Sequence, residues 1–560
     1  MDVSQTCPLL SSSTGLKEHS VADGVDRKPS SHGEWRSAIY IIWVEIAEQF
    51  AYYGISANVI MYLTNVFHEP ALSAAKNVNI WSGVSSLIPL LGAFVADTYM
   101  GRYMTILLSS LLYLMGVATL TLSATPVVPL RFRKSLFFIS LYVLAIGHGG
   151  QKPCAQAFGA DQFNEESTQE MEAMNSFFNW WYFGITCGVV AGIIIISYVQ
   201  EYVGWAIGFS IPAIAVAIAL VTFLTGRKSY LRRSPTGSPL TQVAQVLVAA
   251  ARKRHLSFVE EDQEEGKEGR MVYVPLNGSL IVVNQFRFLD KATIKDELDA
   301  SCESRNAWRL CSTIQVEEAK QLLRLLPIWF SCLMFAVVTA QTSTFFTKQC
   351  STLDRKIWSS FEVTPASFQL SIALSAILTV PIYDWIIVPL LRTITKISSG
   401  ITLLQRIGVG ISLSVTCMVI AALVEAQRLR IAREHGLADI PNAIIPMSVW
   451  WLLPQDVICG VSDVLTIAGL NQFFYDQMPD GMRSLGSAAV VSIFGVGSFL
   501  SSFILSFLEM TNCKWLANNL NHAHLDYYYW LLAGLSTLWL ALYVSLAQCF
   551  VHKQNHEALR

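Results

Sequence analysis

The sequence has little charge and no pattern for covalent chemistry. Only 14% of its 560 residues are Asp, Glu, Lys or Arg, where a soluble globular chain carries roughly 25%. The 39 basic and 41 acidic residues nearly cancel, to a formal charge of −2. No field of one sign therefore draws the chain to nucleic acid or an acidic polymer. The eleven cysteines are scattered, several of them in apolar runs, as at Cys332, Cys417 and Cys459. With no CxxC pair and no HExxH pattern, neither a disulfide framework nor a zinc site is expected, and the cysteines read as small buried hydrophobes. A nucleophile with base and orienter, a metal triad and a phosphate loop are all missing too, so neither an enzymatic activity nor a cofactor is expected. The first thirty or so residues, to about Gly33, lack the apolar core of a signal peptide.

What the chain has in surplus is apolar: 53% of residues are hydrophobic and mean hydropathy is +0.43. At about 20 apolar residues per membrane-spanning helix, twelve spans would use roughly 240. That arithmetic favours one polytopic membrane protein over the several soluble domains that length alone would permit. The fold class expected is all-α and integral to the membrane, with twelve transmembrane helices. Hydropathy places them at 36–66, 78–97, 102–123, 136–156, 175–199, 203–225, 318–347, 365–391, 400–425, 445–472, 484–508 and 528–550. The chain then divides into a polar tail (1–33), read as disordered and cytosolic, a six-helix bundle (34–226), a charged cytosolic connector (227–316), a second six-helix bundle (317–550) and a short tail (551–560). Basic residues do not orient it. Arg102, Arg392, Lys396 and Arg483 fall in short loops on one side, while Arg131, Arg133, Lys134, Arg428, Arg430 and Arg433 fall in loops on the other.

An ionisable side chain at membrane depth costs at least ~2.5 kcal/mol, so each one there is a functional candidate. In the first span Glu45 and Glu48 are three apart and share a helix face. Two neighbouring carboxylates repel, so one of them could load and release a proton. Their natural basic partner is Lys152, which precedes Pro153 in the glycine-rich Gly147-His148-Gly149-Gly150-Gln151 run, where a helix can bend. The bland reading of Lys152 is a side chain that snorkels to the interface, with Asp161 nine residues on. Asp463, in the tenth span, could hold a cationic substrate group or carry a proton. His148 reads first as packing and second as a pH sensor beside Lys152. Tyr52, Tyr53, Phe178, Trp180, Trp181 and Tyr182 could line a pocket or mark the membrane interface.

Five separated motifs in order make the pattern specific. Glu45-Ile46-Ala47-Glu48-Gln49 resembles the first-helix signature of the proton-coupled oligopeptide transporter family, usually Glu-x-x-Glu-Arg. Gly92 to Tyr103, holding Asp97, Gly101 and Arg102, looks like that family's version of the major-facilitator loop between helices two and three. Phe178-Asn179-Trp180-Trp181-Tyr182-Phe183-Gly184 and Phe158-Gly159-Ala160-Asp161-Gln162-Phe163 are similar to its plant branch, the nitrate and peptide transporter family. So are Gly400 to Gly408, and Phe473 to Gln477 with Met482 to Gly486. The resemblance covers about residues 34–550. It implies a major-facilitator fold of two six-helix bundles, both termini in the cytosol, alternating access, and symport driven by the proton gradient.

Carried over by position, the resemblance makes Glu45, Glu48 and Lys152 the proton-coupling set and Asp97, Gly101 and Arg102 the gating motif. It places Tyr53, Lys152, Thr339, Gln341 and Asp463 at the substrate, with Asp463 where peptide-transporting relatives hold the substrate amine. Three departures stand out. Gln49 replaces the motif's arginine, so one balancing charge is missing. Thr339 stands where certain nitrate-transporting relatives have a histidine. Trp385 follows Tyr383-Asp384 where an arginine is common.

The function expected is a proton-coupled symporter of a small solute such as nitrate, di- or tripeptides or another organic anion. The alternatives are a proton-independent facilitator or exporter of the same fold, motivated by Gln49, and a transporter-like receptor. Its partners would be the solute, protons and the bilayer of the plasma or vacuolar membrane, with no nucleic acid. A kinase could act on connector serines such as Ser234, Ser238 and Ser257. Asn277-Gly278-Ser279 fits a glycosylation acceptor but is cytosolic on this topology.

Overall fold

The computed structural model describes residues 33–163, 168–232, 237, 239–255, 286–294, 306–358, 361–396, 400–440, 443–478, 483–511, 515 and 519–558. Most of the connector, with Ser234, Ser238, Ser257 and Asn277, lies outside the described residues, as do the tail to residue 32 and Met482.

Helix dominates because a chain in lipid must satisfy its backbone hydrogen bonds within each segment. The N-terminal half runs α1 (Gly33–Ser56), α2 (Val59–Asn65), α3 (Ala71–Val95), α4 (Gly101–Ser123), α5 (Leu130–Ala160), α6 (Thr168–Tyr202) and α7 (Trp205–Thr225). A connector helix, α8 (Pro239–Arg252), follows. The C-terminal half comprises α9 (Thr313–Ser331), α10 (Leu333–Thr339), α11 (Thr347–Cys350), α12 (Leu370–Ile382), α13 (Val388–Thr395), α14 (Leu403–Glu434), α15 (Leu453–Gln477), α16 (Arg483–Met510) and α17 (Leu525–Ala558).

Among the described residues, eight helical runs are long and apolar enough to cross a membrane, and α9 with the Leu333–Cys350 run, bent by 45°, makes a ninth. One of the eight, Ala71–Ser123, is 53 residues long. Straight, it would extend about 80 Å, more than twice the hydrocarbon core, so it must hold two passes. The chain turns there at Gly101, whose φ of +74° is open to glycine and strained for most other residues. The two expected spans left over are α1 and α5, the helices that carry Glu45, Glu48, His148 and Lys152. The arrangement is consistent with twelve spans.

Packing holds these helices at close range. α4 lies along α5, α1 along α6, and α3 touches both α5 in its own half and α16 in the other. A Cβ on Gly92 would come within 2.3 Å of the Gly149 carbonyl oxygen, so only glycine lets α3 approach α5 beside His148. α8 buries Val243, Val246, Ala249 and Ala250 with Leu289 and Ala292 against the C-terminal half, and Lys320 on α9 pairs with Asp290 at 2.5 Å and Glu317 at 2.8 Å.

The short strands β1 (Leu353–Asp354), β2 (Lys356–Trp358), β3 (Phe361–Glu362) and β4 (Ile445–Ser448) lie outside the helical spans, β4 taking the first four residues of the span expected at 445–472. β1 pairs with β4 in parallel and β2 with β3 antiparallel. These links sit on the face away from the tails. Arg428, Arg430 and Arg433, expected in a loop on that face, belong instead to α14, which continues to Glu434. Arg428 is fully buried. Its guanidinium grips Glu425 at 2.6 and 2.8 Å, Asn521 at 2.8 Å, the Leu520 carbonyl at 2.9 Å and Thr352 at 3.2 Å, and Gln349 also donates to Glu425 at 2.7 Å.

The same face carries the bridges between halves. Lys348 donates to Thr64 at 3.1 Å, Gln369 to the Ala57 carbonyl at 3.2 Å and Tyr202 to the Glu362 carbonyl at 3.1 Å. Arg355 pairs with Glu201 at 2.7 Å and Glu362 at 3.1 Å, and Lys76 pairs with Glu509. Deeper in, Asn79 donates to Ser501 at 3.0 Å. Every described hydrogen bond or ion pair between the halves lies between mid-membrane and this face, so the state shown is closed there.

Removing Glu425 would strand the Arg428 charge in a dry interior. Glu425→Ala is expected to destabilise the protein by about 3–5 kcal/mol, read as a lower melting temperature, and Glu425→Ala with Arg428→Met is expected to recover much of it.

Candidate functional site

The first half of the site is built on α1. Helical spacing sets Glu45, Glu48 and Gln49 side by side, and all three are buried. The Gln49 amide donates one hydrogen to Glu45 Oε1 at 3.1 Å and the other to Glu48 Oε2 at 3.0 Å. A neutral amide thus occupies the place where the motif has a cation. It donates to one oxygen of each carboxylate without cancelling either charge.

The side chain that meets Glu48 from another helix is His148 on α5, whose Nδ1 hydrogen-bonds Glu48 Oε1. With Glu48 ionised, the Nδ1–H is the donor. Tyr52, one turn beyond Glu48, stacks flat on the imidazole at 4.0 Å and 9° between planes, and Trp81 lies against Tyr52 at 5.8 Å. Trp81 is itself fixed by donating to the Leu141 carbonyl at 2.9 Å. The ring stack therefore holds the imidazole edge-on to the carboxylate.

Lys152, expected as the direct partner, lies one turn further along α5. It is partly exposed and within electrostatic reach of Glu45, but no described ion pair joins it to either glutamate. Glu45 Oε2 has no hydrogen-bond partner among the described residues. Asp161 is engaged elsewhere: it accepts from Arg102 at 2.5 Å.

The second half of the site is in the C-terminal half. Thr339, the last residue of α10, stands within hydrogen-bonding reach of Asp463 on α15, while its hydroxyl also lies 3.2 Å from the Phe335 carbonyl. Asp463 Oδ1 is buried without a described hydrogen-bond partner. Two turns earlier Asp456, also buried, accepts from Ser371 at 2.6 Å. Gln341 is fully buried and occupied at both ends: its amide donates to the Val337 carbonyl at 2.8 Å and to Ser501 at 3.2 Å, and its oxygen accepts from Tyr528 at 3.5 Å. Because Asn79 also donates to Ser501, Gln341 is a strut at the crossing of the two halves. Tyr53 packs beside Ala57 and Ile193 against Ala366 and Leu370 of the other half.

At the tail side, Asp97 sits in the Ala96–Met100 turn, Gly101 redirects the chain, and Arg102 swings to the end of α5, where it binds Asp161 and the Ala157 carbonyl at 3.4 Å. Asp97 lies within reach of both charges. Of the aromatic residues that could have lined a pocket, Trp180 and Tyr182 are exposed on the outside of α6; Trp385, which stands where an arginine is common, is exposed as well. Among the described residues no group of three or more His, Cys, Asp and Glu is placed to hold a metal ion.

Sequence reasoning ranked His148 behind Lys152 and did not see the Arg428 and Glu425 cluster. Only the four-residue spacing of His148 and Lys152 hinted that both lie on one face of α5.

Residues 103–524 match the POT family. The chain is 48% identical to Arabidopsis thaliana Protein NRT1/ PTR FAMILY 5.4 over 93% of its own length and 96% of that protein's. It is 47% identical to Protein NRT1/ PTR FAMILY 5.10 of the same plant, over 94% of each. Its fold is similar to the crystal structure of the POT family transporter PepTSo, with a TM-score of 0.70 at 20% identity over 92% of this chain and 98% of that one. It is also similar to a POT family transporter in complex with 5-aminolevulinic acid, with a TM-score of 0.62 at 16% identity over 92% and 96%. These likenesses identify a major-facilitator-type fold.

His148→Phe keeps a ring against Tyr52 but removes the bond to Glu48. A hydrogen bond to a charged group is worth about 1.5–3 kcal/mol. The variant is expected to fold and reach the membrane while losing about tenfold or more of any pH-dependent uptake, measured against surface abundance.

Proposed function

The chain belongs to the POT family of membrane transporters, and from that premise we propose that it is a proton-coupled symporter of a small anionic or zwitterionic solute, working by alternating access. The observation that carries this reading is the buried pair Glu45 and Glu48, tied by Gln49 and met by His148. A carboxylate at membrane depth is costly unless its charge is balanced. One that can be balanced by a proton, a histidine or a nearby Lys152 is suited to carry protons. In this reading Glu48 and His148 exchange the proton and Lys152 answers to Glu45 or to the solute's anionic group.

Asp463 with Thr339 lines the opposite wall and takes the solute's polar end. Tyr53, at the seam of the halves, reports whether the cavity is closed, and Gln341 keeps the crossing rigid. Asp97, Gly101 and Arg102 form the tail-side latch. The solute class rests on two supports: the names of the Arabidopsis relatives, and the 5-aminolevulinic acid and peptide conjugate in solved POT transporters. Nitrate, short peptides and amino-acid-like anions are therefore the first solutes to try.

Gln49 supports one competing reading, a facilitator that needs no proton. Oocytes expressing the protein under voltage clamp separate the two. Symport predicts an inward proton current with a transported solute, larger at acidic external pH, and a loss of about tenfold or more in Glu48→Gln. Uptake without proton current across a broad solute panel, unchanged by Gln49→Arg, establishes the facilitator instead.

A further inference from the structure

On the tail-opposite face, where the halves are closed against each other, lies a cavity of about 280 Å³. Its N-terminal wall is Thr64, His68 and Glu69 and its C-terminal wall includes Lys348, Thr352 and Asn521. Neither Glu48 nor Asp463 lines it.

Its charges do not cancel. Glu69 is already neutralised by Lys134 at 2.7 Å and receives a hydrogen from Asn77 at 3.0 Å. Lys348 is 6% exposed, and its ammonium has one described partner, the neutral Thr64 hydroxyl at 3.1 Å. No described ion pair joins Lys348 to a carboxylate. Glu425, on the layer below, is taken by Arg428 and Gln349. A buried ammonium with one neutral acceptor has two further N–H groups to satisfy and an uncompensated charge, which favours an anion within reach.

The rest of the cavity is shaped to keep that place open. The fully buried Arg428 holds Thr352, Leu520 and Asn521 from behind, so the C-terminal wall cannot easily collapse onto the ammonium. At the mouth, His68 is exposed and has φ +53°, a left-handed conformation that residues other than glycine seldom keep unless their surroundings fix them. Its imidazole has no described hydrogen bond and can supply a second donor.

We infer that this cavity is a binding site for a small oxyanion, with Lys348 as its charge partner and His68 as a donor at the mouth. An anion there touches both halves, so by linkage it binds best to the state closed on this face and favours that state in turn. The site is separate from the proposed transport site.

The test is calorimetric titration of the full chain in nanodiscs with sodium acetate and, in a second arm, sodium nitrate, which distinguish a carboxylate from an inorganic oxyanion. Wild type is expected to bind at least one of them. Lys348→Gln is expected to weaken binding by about tenfold or more, whereas Lys348→Arg, which keeps the charge, stays within about threefold. Absence of binding in wild type overturns the proposal. So does Lys348→Gln that melts normally and binds as wild type does, since the anion then sits elsewhere. Should Lys348→Gln fail to fold, His68→Gln on the exposed mouth decides: about threefold weaker binding supports the site and unchanged affinity overturns it.

Discussion

The whole structure answers to one constraint: a charge carried into lipid must find a partner inside the protein. Three arrangements meet it in three ways. Arg428 and Glu425 form a closed pair in which each donor and acceptor of the guanidinium and carboxylate has a neighbour, and such a pair holds helices and loops in place. Arg102 and Asp161 form an open pair at a helix end, partly exposed and so able to part at modest cost. Glu45, Glu48, Gln49 and His148 form a pair of acids held by neutral or titratable donors, and only this third arrangement leaves room for the charge to change.

That difference sorts rigid parts from working parts. Gln341, Ser501, Asn79 and Tyr528 are linked by hydrogen bonds where α3 crosses α16, a polar knot that ties the two halves near mid-membrane. The bridges on the tail-opposite face are longer-armed. Lysine and arginine side chains reach across to Thr64, Glu201 and Glu509. The proposed alternating access would need a hinge near mid-membrane with separable ties at one face.

Much of this was legible in the sequence. Hydropathy found the helices that lipid selects, and the charged residues inside apolar runs led to Glu45, Glu48, Lys152 and Asp463. What could not be read was which of the buried polar groups pair with one another. Arg428 looked like a loop residue because hydropathy drops where α14 approaches the surface, yet its partner Glu425 lies one turn away on the same helix. His148 looked like packing because a lone histidine in an apolar span usually is; its neighbour Glu48 is 100 residues earlier, on α1, and meets it only where α1 packs against α5. The α1 and α5 helices also show why composition alone undercounts spans: the charged and polar candidates they carry lower their hydropathy.

Gln49 decides how the working cluster counts its charges. With Glu45 and Glu48 ionised, Lys152 charged and His148 neutral, the sum is −2 + 1 = −1. One proton brings it to zero. With the family's arginine at position 49 as a fifth group the sum would be −2 + 1 + 1 = 0 with no proton bound, and a further proton would make the cluster positive. The amide keeps the donor geometry that an arginine would supply while leaving one negative charge for something mobile to cancel. That mobile charge is a proton in the proposed cycle. A cationic group on the solute could serve in its place, so in the proposed cycle Gln49 would link proton use to the charge of the cargo.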